Sequence, residues 1–428
     1  MTPPLIYNLF QRLVAPTSNW SEHARRAHEM GFNWLYLNPW HYPGFSGSLY
    51  APKEIWRLNP LFLPEGTDPL SLDPLTDFLK EMRELGMPVM MDLVVNHTSK
   101  DSPLIQEHPD WFVRDEQGEV VSPFVIDPDD PSKKTVWGDL AEVDNEGSAD
   151  REALWDFWVQ VVRKSLALGF SGFRCDAAYM VPAELWRRLI QDARSVDRSV
   201  KFFAETLGAP DEDVLALRQA GFDYIFNSSK WWNFNDPWAL DQHEKFRDIA
   251  PSISFPETHD TTRLSGDTGG NEAAQRQRYA FAAGFSAGLM MPIGYEFGFQ
   301  KQVNVVETQP SDWESPTFDL THFITRVNGL KLRHPLLQGE GRLKTGGPTA
   351  HQVLTLERSV SRSGTGWMLI NKRLDRGAEA GVIGDGRARN CRMFRICRDD
   401  APEGGEEVPG HLELDAGEVV YLLPEPGY

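Results

Sequence analysis

Cysteine is scarce in this chain, with three residues among 428. Cys175 lies within an apolar run, which predicts a small buried side chain. The other two, Cys391 and Cys397, leave an odd total. We therefore expect no disulfide framework, so that a hydrophobic core must hold the fold together.

Long apolar runs are also missing. No stretch reaches the roughly 18 apolar residues that indicate a membrane-spanning helix. The residues Met1–Tyr7 lead directly into a strand pattern, without the basic segment and apolar stretch of a secretory signal. These features predict a cytoplasmic protein that has no membrane partner.

Positive charge is in deficit, since 43 Lys and Arg residues face 62 Asp and Glu residues and the net charge is −19. Binding to phosphate backbones or anionic lipids needs concentrated positive charge, so we expect no nucleic-acid partner. The 41% hydrophobic and 25% charged composition is ordinary for a globular protein. A neutral substrate is compatible with this charge.

What the chain does contain is a repeated alternation of short apolar runs and amphipathic stretches, which indicates strand-helix units. The candidate strands are Ile6–Phe10, Trp34–Leu37, Val89–Val94, Gly172–Asp176, Lys201–Glu205, Tyr224–Asn227, Ser252–Phe255 and Leu289–Ile293. The candidate helices include Trp20–Met30, Leu75–Leu85, Arg151–Leu168, Ala183–Arg194, Asp211–Gln219 and Asn271–Ala283. Eight such strands predict an α/β fold, a closed (β/α)8 TIM barrel.

Two regions do not fit the barrel pattern. The connection from His97 to Asn145 is too long for an ordinary barrel loop and predicts a small excursion over the catalytic face, after the third strand. Beyond Gly339, short runs predict a C-terminal all-β sandwich, and they are Gln352–Leu356, Gly366–Ile370, Cys391–Ile396 and Glu418–Leu423. We assign residues 1–97 and 146–338 to the barrel, 98–145 to the small domain and 339–428 to the sandwich.

Two carboxylates, Asp176 and Glu205, each end a predicted strand and stand 29 positions apart. This spacing matches one strand-helix-strand unit of about 30 residues. In a closed parallel barrel the C-terminal ends of the strands meet at the catalytic face. Two acids held there can act together as nucleophile and general acid in the cleavage of a glycosidic bond.

An isolated acid at a strand end has a simpler interpretation, because such acids also cap helices or pair with arginines. The other predicted strand ends favour the catalytic interpretation. The third strand closes with Asp92–His97 and the seventh with Phe255–Asp260, and each segment combines an acid with a histidine. Neutral imidazoles and carboxylates accept hydrogen bonds and therefore suit the binding of sugar hydroxyls.

The neighbours of the two acids predict different protonation states. Arg174 precedes Asp176 by two residues, so the alternation of a strand points both side chains the same way. We expect the guanidinium to lower the pKa of Asp176 and to keep it ionised, as a nucleophile requires. Glu205 follows Phe202, Phe203 and Ala204, and apolar surroundings favour its protonated form.

Taken together, these segments resemble the signature regions of glycoside hydrolase family 13, the α-amylase family. Asp92–His97 is similar to the motif D-x-x-x-N-H, Gly172–Ala177 to G-F-R-x-D-A, Glu205 to the isolated acid, and His259-Asp260 to the H-D pair. Order and spacing agree across about residues 5–335. The stretch Gly47–Glu54 is similar to the family segment that supplies an aromatic platform to the sugar.

The resemblance implies a role for each matching residue. Asp176 would be the nucleophile, Glu205 the general acid/base, and Asp260 the acid that holds the 2- and 3-hydroxyls of the sugar. The substrate-binding residues that it implies are Tyr50 beneath the sugar, Asp92, Arg174 as the partner of Asp176, and His97 and His259 at the hydroxyls. This is a retaining mechanism through a covalent glycosyl-enzyme, which predicts carboxyl groups about 5–5.5 Å apart.

The chain departs from the family pattern on the acceptor side. Tyr179-Met180 stand where the family commonly has Lys-His, and Thr258 stands where it has Asn. We place Tyr179 among the substrate-binding residues. Asn96 matches a calcium ligand of the family, but a calcium site needs six to eight oxygens, and capping of the excursion explains Asn96 at least as well. We predict no obligatory metal and no other cofactor.

The excursion, with His108–Phe112 and Gly118, has some similarity to the bacterial maltosyltransferases of this family that use maltose 1-phosphate. Such enzymes need a phosphate pocket, for which the chain offers the scattered Lys133, Lys134 and Lys230. Lysines of this kind are mostly solvated surface residues.

The aromatic run Trp231–Phe234 follows the sixth predicted strand. Trp231 is a candidate platform for the glucose rings of an acceptor. Core packing of the run is an equal alternative, because large aromatic side chains dominate cores as well as binding surfaces.

The leading hypothesis is a retaining α-glycosidase that acts on α-1,4-glucans or maltooligosaccharides, with some transglycosylation. The alternative is an α-glucan glycosyltransferase, such as a maltosyltransferase that uses maltose 1-phosphate or an oligosaccharide donor. A carbohydrate-binding scaffold built on an inactive barrel is disfavoured, because Asp176, Glu205 and Asp260 are all present. Linkage and the identity of glucose rest on the resemblance alone.

Overall fold

The computed structural model describes residues 2–126, 132–346, 352–380, 388 and 390–425. The strands in chain order are β1 (Leu5–Leu9), β2 (Trp34–Leu37), β3 (His41–Pro43), β4 (Pro52–Leu58), β5 (Val89–Leu93), β6 (His97–Ser99), β7 (Phe124–Ile126), β8 (Lys134–Val136), β9 (Leu140–Glu142), β10 (Gly172–Cys175), β11 (Lys201–Glu205), β12 (Tyr224–Phe226), β13 (Ser252–Ser254), β14 (Gly288–Pro292), β15 (Arg342–Thr345), β16 (Val353–Val360), β17 (Gly364–Asn371), β18 (Ala378–Ala380), β19 (Cys391–Phe394), β20 (Glu406–Glu407), β21 (Leu412–Leu414) and β22 (Val419–Pro424).

Eight of these strands close into a parallel barrel in the ring order β1-β2-β5-β10-β11-β12-β13-β14. The predicted (β/α)8 barrel with an all-β C-terminal region is confirmed. Each of the eight predicted strands is present, with both ends within one residue of the prediction.

The helices of the described chain surround the barrel or cover its ends. They are α1 (Trp20–Glu29), α2 (Asp73–Glu84), α3 (Leu104–Glu107), α4 (Arg151–Leu168), α5 (Ala183–Val196), α6 (Asp211–Ala216), α7 (Trp238–Phe246), α8 (Leu264–Asp267), α9 (Glu272–Phe285), α10 (Thr321–Arg333) and α11 (Pro335–Gln338). The six predicted helices are found, and the additional ones are α3, α7, α8, α10 and α11. Helix α5 buries Leu185, Trp186, Leu189, Ile190 and Ala193, the spacing of one helical face.

Alternate residues of the barrel strands point inwards, and their character changes along the strand. An apolar interior layer contains Ile6, Tyr36, Met90, Phe203, Phe226, Ile253, Phe255 and Met290. Two positions beyond three of these residues stand the polar Asn8, Asp92 and Glu205. Because a strand returns to the same face every second residue, these three strands fill the core and also carry a polar group to the C-terminal end of the barrel.

Residues 97–145 leave the barrel after β5. Strand β6 pairs antiparallel with β9, with His97 opposite Glu142, so the excursion returns close to its starting point. Between them β7 and β8 form a hairpin. The indole of Trp111 donates to Oδ2 of Asp150, 3.1 Å away, just before α4. The excursion therefore lies at the C-terminal end of β5, while its predicted limits as a domain stay a prediction.

The C-terminal part forms a six-stranded sheet in the order β15-β16-β17-β22-β19-β20 and a two-stranded sheet of β18 and β21. Both sheets contribute to one hydrophobic cluster, which includes Trp367, Leu369, Leu412 and Leu414. The predicted domain boundary at 338/339 falls immediately after α11. The division of the chain into separate domains stays a prediction.

Two buried cations lie where the barrel meets this C-terminal part, and Arg358 of β16 connects the two. The Lys331 ammonium donates to the carbonyl oxygens of Ala283, Ser286 and Leu337 at 2.7–2.8 Å. The Arg358 guanidinium donates to the carbonyl oxygens of Leu336, Phe285 and Gly339. The acceptors lie at the ends of α9 and α11, where helix carbonyls have no partner within the helix.

Within the described residues, no helix is both long enough and apolar enough to span a membrane. The location of the protein in the cytoplasm stays a prediction.

Candidate active site

Asp176 and Glu205 come together because their strands are neighbours. In the parallel pairing of β10 and β11, Cys175 lies opposite Ala204, so the next residue of each strand reaches the same end of the barrel. After Asp176 the backbone turns through Ala177, whose φ of 40° is in the left-handed region. This conformation costs about 1–3 kcal/mol for a residue other than glycine. It directs the Ala177 N–H to Oε2 of Glu205, 2.7 Å away.

A single buried guanidinium connects three carboxylates. Arg174 is 4% exposed. Its Nη1 lies 2.5 Å from Oδ1 of Asp176 and 2.8 Å from Oδ1 of Asp92. Its Nη2 lies 2.9 Å from Oε1 of Glu205. The predicted pairing of Arg174 with Asp176 is present, and two further acids share the same cation.

Burial governs the protonation of this cluster. It raises the pKa of Asp176 well above the ordinary value, with Glu205 and Asp92 adding to the rise and Arg174 opposing it. Burial also raises the pKa of Glu205, against Arg174 and the Ala177 N–H. The expected net lowering of the Asp176 pKa is wrong, because one guanidinium shared by three carboxylates does not offset the loss of solvation.

Two neighbouring carboxyl groups with raised pKa values favour a state in which they hold one proton between them. In that state one group is ionised and the other can donate a proton. A nucleophile and a general acid need this division.

Asp260 differs from these two acids in its protonation. Its side chain is 56% exposed. Partial loss of solvation opposes its ionisation, but His259 and Arg174 outweigh that loss and lower the pKa of Asp260. The Nε2 atom of His259 lies 2.9 Å from Oδ2 of Asp260. Asp260 is therefore ionised at neutral pH and can accept hydrogen bonds.

Two other predicted binding residues, Asp92 and His259, contact Tyr50. Its hydroxyl contacts Oδ2 of Asp92 and lies 2.8 Å from Nε2 of His259. The rings of Tyr50 and His259 stack, with centroids 5.5 Å apart and planes 2° apart. Asp92 and His259 therefore fix the position of the Tyr50 ring.

His97 also supports this segment. Its Nε2 lies 2.9 Å from the carbonyl oxygen of Tyr50, and because a carbonyl only accepts, Nε2 carries the proton. Burial lowers the pKa of His97 to about 4, so the ring is neutral at neutral pH. Its Nδ1 is buried and has no partner among the described residues, which leaves it able to accept a hydrogen bond.

These groups meet in a cavity of about 290 Å³ at the C-terminal end of the barrel. The three predicted catalytic acids line it, together with Tyr50, His97 and Tyr179. The excursion and the neighbouring loops add Ser48, Asn96, Pro123, Trp137, Asp139, Leu140, Ala177, Met180 and Val305. A cavity of this size is in the range of small-ligand sites.

Four predicted binding residues do not line this cavity. Asp92, Arg174 and His259 are buried behind its wall, where they hold residues that do line it. Trp231 is 50% exposed and lies away from the cavity, whereas its neighbour Trp232 is buried against Phe281 and Phe285. Trp232 therefore packs in the core, as the alternative interpretation of the aromatic run expects. Direct contact of these four residues with a sugar stays a prediction.

The prediction of site residues missed Trp137 and Asp139. Both come from the excursion, and Trp137 is 41% exposed. The high content of Asp and Trp in this segment was the available signal, but the sequence does not indicate which of these side chains turn towards the barrel.

Asn96 is the candidate calcium ligand, and the absence of an obligatory metal stays a prediction. The Asn96 side-chain oxygen is buried and has no partner among the described residues. The described residues contain no group of three or more His, Cys, Asp or Glu side chains arranged to hold a metal ion. A calcium ion prefers six to eight oxygens, several of them from carboxylates.

Comparison with known proteins identifies relatives of this chain by sequence. The model of the glucanotransferase domain of glycogen debranching enzyme matches residues 5–117. An α-1,4-glucan:maltose-1-phosphate maltosyltransferase of Burkholderia pseudomallei (strain K96243) is 26% identical over 357 residues, which cover 79% of this chain and 30% of the relative. The enzyme of the same name from Myxococcus xanthus (strain DK1622) is 26% identical over 64% of this chain and 41% of its own length. The chain therefore spans less than half of these relatives.

Solved structures share the fold over nearly the whole chain. An α-amylase from Lactobacillus plantarum has a TM-score of 0.73 and 21% identity, with 98% of each chain covered. An α-amylase from Geobacillus thermoleovorans, solved in complex with acarbose, has a TM-score of 0.76 and 16% identity, with 99% of each chain covered. The chain shares the fold of these α-amylases. The predicted resemblance to glycoside hydrolase family 13, with similarity to bacterial maltosyltransferases, is confirmed.

Proposed function

We propose that this chain is a retaining α-glycosidase that acts on α-1,4-glucans or maltooligosaccharides. The observation that carries the proposal is the shared guanidinium of Arg174, which places Asp176 and Glu205 in one cavity at the barrel end. The sequence relatives and the fold support the same enzyme class.

In the first step Asp176 attacks the anomeric carbon. Arg174 binds Oδ1, and Oδ2 has no hydrogen-bond partner among the described residues, which leaves it as the attacking atom. As the bond from Oδ2 to the anomeric carbon forms, the glycosidic bond breaks, and Glu205 gives its proton to the departing oxygen. The product of this step is a covalent glycosyl-enzyme.

In the second step Glu205 acts as a base. It takes a proton from water, or from the hydroxyl of an acceptor sugar, and that oxygen displaces Asp176. Asp260 is ionised and accepts hydrogen bonds from the sugar hydroxyls in both steps. Tyr50, His97 and Tyr179 contact the sugar from the cavity wall.

The first test replaces the nucleophile. We expect Asp176→Asn to lose about 10⁴- to 10⁶-fold of kcat on maltooligosaccharides, as is typical when a nucleophile is removed. Asp241→Asn is the matched control, because Asp241 is exposed on α7. Product analysis by NMR should show the α-anomer first. Full activity of Asp176→Asn, or initial release of the β-anomer, would refute the mechanism.

The second candidate is an α-glucan glycosyltransferase, which the names of the sequence relatives favour. Transfer to a sugar and hydrolysis share the glycosyl-enzyme and differ only in the acceptor. Incubation with maltooligosaccharides, with and without phosphate, separates the two. Phosphate-dependent maltosyl transfer far above hydrolysis would replace the leading proposal with this one.

A further inference from the structure

The cavity proposed as the active site is acidic on several sides. Four carboxylates line it, from Asp139, Asp176, Glu205 and Asp260. Among the described residues that line it there is no Lys and no Arg. The nearby Arg174 is buried behind the wall and already binds three carboxylates. The described lining of the cavity therefore offers no free positive charge to an anion.

The lysines considered as phosphate ligands lie elsewhere in the structure. The Lys134 ammonium is 3.6 Å from the ring centroid of Phe124, and Lys133 is exposed and engaged in an interaction of its own. Lys230 is outside the cavity lining, with its ammonium 5.2 Å from the ring of Trp231. Residues 127–131, which fall outside the described part of the chain, contain no Lys or Arg in their sequence.

Asp139 differs from the other three acids in its surroundings. It belongs to the excursion, not to a barrel strand, and it is half-buried. Its backbone carbonyl accepts a hydrogen bond from the Lys100 N–H at 2.9 Å. Its carboxylate forms no hydrogen bond or ion pair with another described residue. Asp139 therefore brings to the cavity lining a carboxylate that has no partner among the described residues.

We propose that Asp139 is a specificity-determining residue, and that it makes the cavity accept donors with neutral leaving groups and reject glycosyl phosphates. This inference rests on the proposed function and names the donor class of that site. A sugar leaving group takes the Glu205 proton and departs neutral. A phosphate leaving group departs as a dianion into a cavity of carboxylates, where Coulomb repulsion opposes both its binding and its formation.

The inference separates this chain from the relatives that are named for maltose 1-phosphate, despite 26% identity. Fold and catalytic acids can be shared between enzymes whose leaving-group sites differ, because function depends on the site and not on the fold. Asp139 lies on the excursion, which is where such a difference is easily introduced.

The test compares two ligands that differ in charge. Maltose and maltose 1-phosphate are used as competitive inhibitors of maltooligosaccharide hydrolysis, so that the measurement does not depend on turnover of the phosphate. For the wild type, we expect the inhibition constant of maltose 1-phosphate to be at least about tenfold larger than that of maltose. Asp139→Asn should lower the ratio of the inhibition constant of maltose 1-phosphate to that of maltose by about tenfold, and Asp139→Lys should lower this ratio further.

Glu116→Gln is the matched control, since Glu116 is an exposed acid of the same excursion and does not line the cavity. Circular dichroism confirms that each variant is folded. Tighter inhibition of the wild type by maltose 1-phosphate than by maltose would overturn the inference. So would a ratio in Asp139→Asn that equals the control. Absence of hydrolysis by the wild type would instead overturn the proposed function, which keeps the two failures distinct.

Discussion

Two buried cationic centres of this chain are built from opposite kinds of partner. At the C-terminal end of the barrel, Arg174 binds three carboxylates. At the junction with the C-terminal sheets, Lys331 and Arg358 each donate to three backbone carbonyl oxygens. Carboxylates can gain and lose protons in the physiological range, whereas carbonyl groups cannot.

Burial changes pKa values at both centres, with different consequences. Around Arg174, burial raises the pKa of Asp176 and Glu205, so that a proton can move within the pair. Around Lys331, burial lowers the pKa of the ammonium well below its ordinary value, and its carbonyl partners lie near helix ends. Helix carbonyls compensate a cation without themselves reacting. The first centre is suited to proton transfer and the second to holding the ends of neighbouring helices together.

The largest expected effect comes from removing the cation at the barrel end. Arg174→Met leaves three buried carboxylates without their counter-charge, which further favours their protonation and misplaces Asp176. We expect kcat/KM on maltooligosaccharides to fall by about 10³-fold, the size of effect that loss of an active-site charge partner produces. Arg163→Met is the control, because Arg163 forms only an exposed pair with Asp192. A loss below tenfold would show that Arg174 is structural, like Lys331.

A smaller effect, on stability and not on chemistry, is expected at the junction. Lys331→Met leaves three carbonyl oxygens unsatisfied, so we expect the free energy of unfolding to fall by about 2–4 kcal/mol. Denaturant unfolding measures this change. Lys80→Met, on the exposed face of α2, is the control. We expect kcat per folded molecule to stay within about threefold of wild type, because the substitution lies away from the proposed active site. A threefold change in kcat corresponds to less than about 1 kcal/mol of activation free energy. A greater loss would contradict the division between the two centres.

The smallest expected effect is a shift in the pH profile of kcat/KM. Loss of the first proton from the Asp176–Glu205 pair sets the acidic limb, and loss of the second sets the alkaline limb. Both pKa values are raised, so both limbs should lie above the ordinary carboxyl values of about 3.9 and 4.3. Arg174 opposes both rises, so Arg174→Met should move the profile further up, by about one pH unit for each 1.4 kcal/mol lost. Lys331→Met should leave it in place. A downward shift in Arg174→Met would refute this account.

Much of the barrel and of its acids was predictable because the signals are local. Each barrel strand is a short apolar run, and in three of them the period of two carries Asn8, Asp92 or Glu205 to the end of the same strand. Neighbouring parallel strands then bring Asp176 and Glu205 together, as their spacing predicted. The direction of the Asp176 pKa shift was predicted wrongly, because adjacency to Arg174 is visible in the sequence but the sharing of Arg174 with Asp92 and Glu205 is not.

The sequence by itself determined the alternation of strands and helices, the barrel and the identity of its three acids. Only the tertiary structure decided which residues of the excursion face those acids, how one guanidinium is divided among three carboxylates, and which cations meet carbonyls at the junction. The reason is that periodicity operates over a few residues, whereas Asp139, Trp137 and Lys331 take their surroundings from segments distant in the chain.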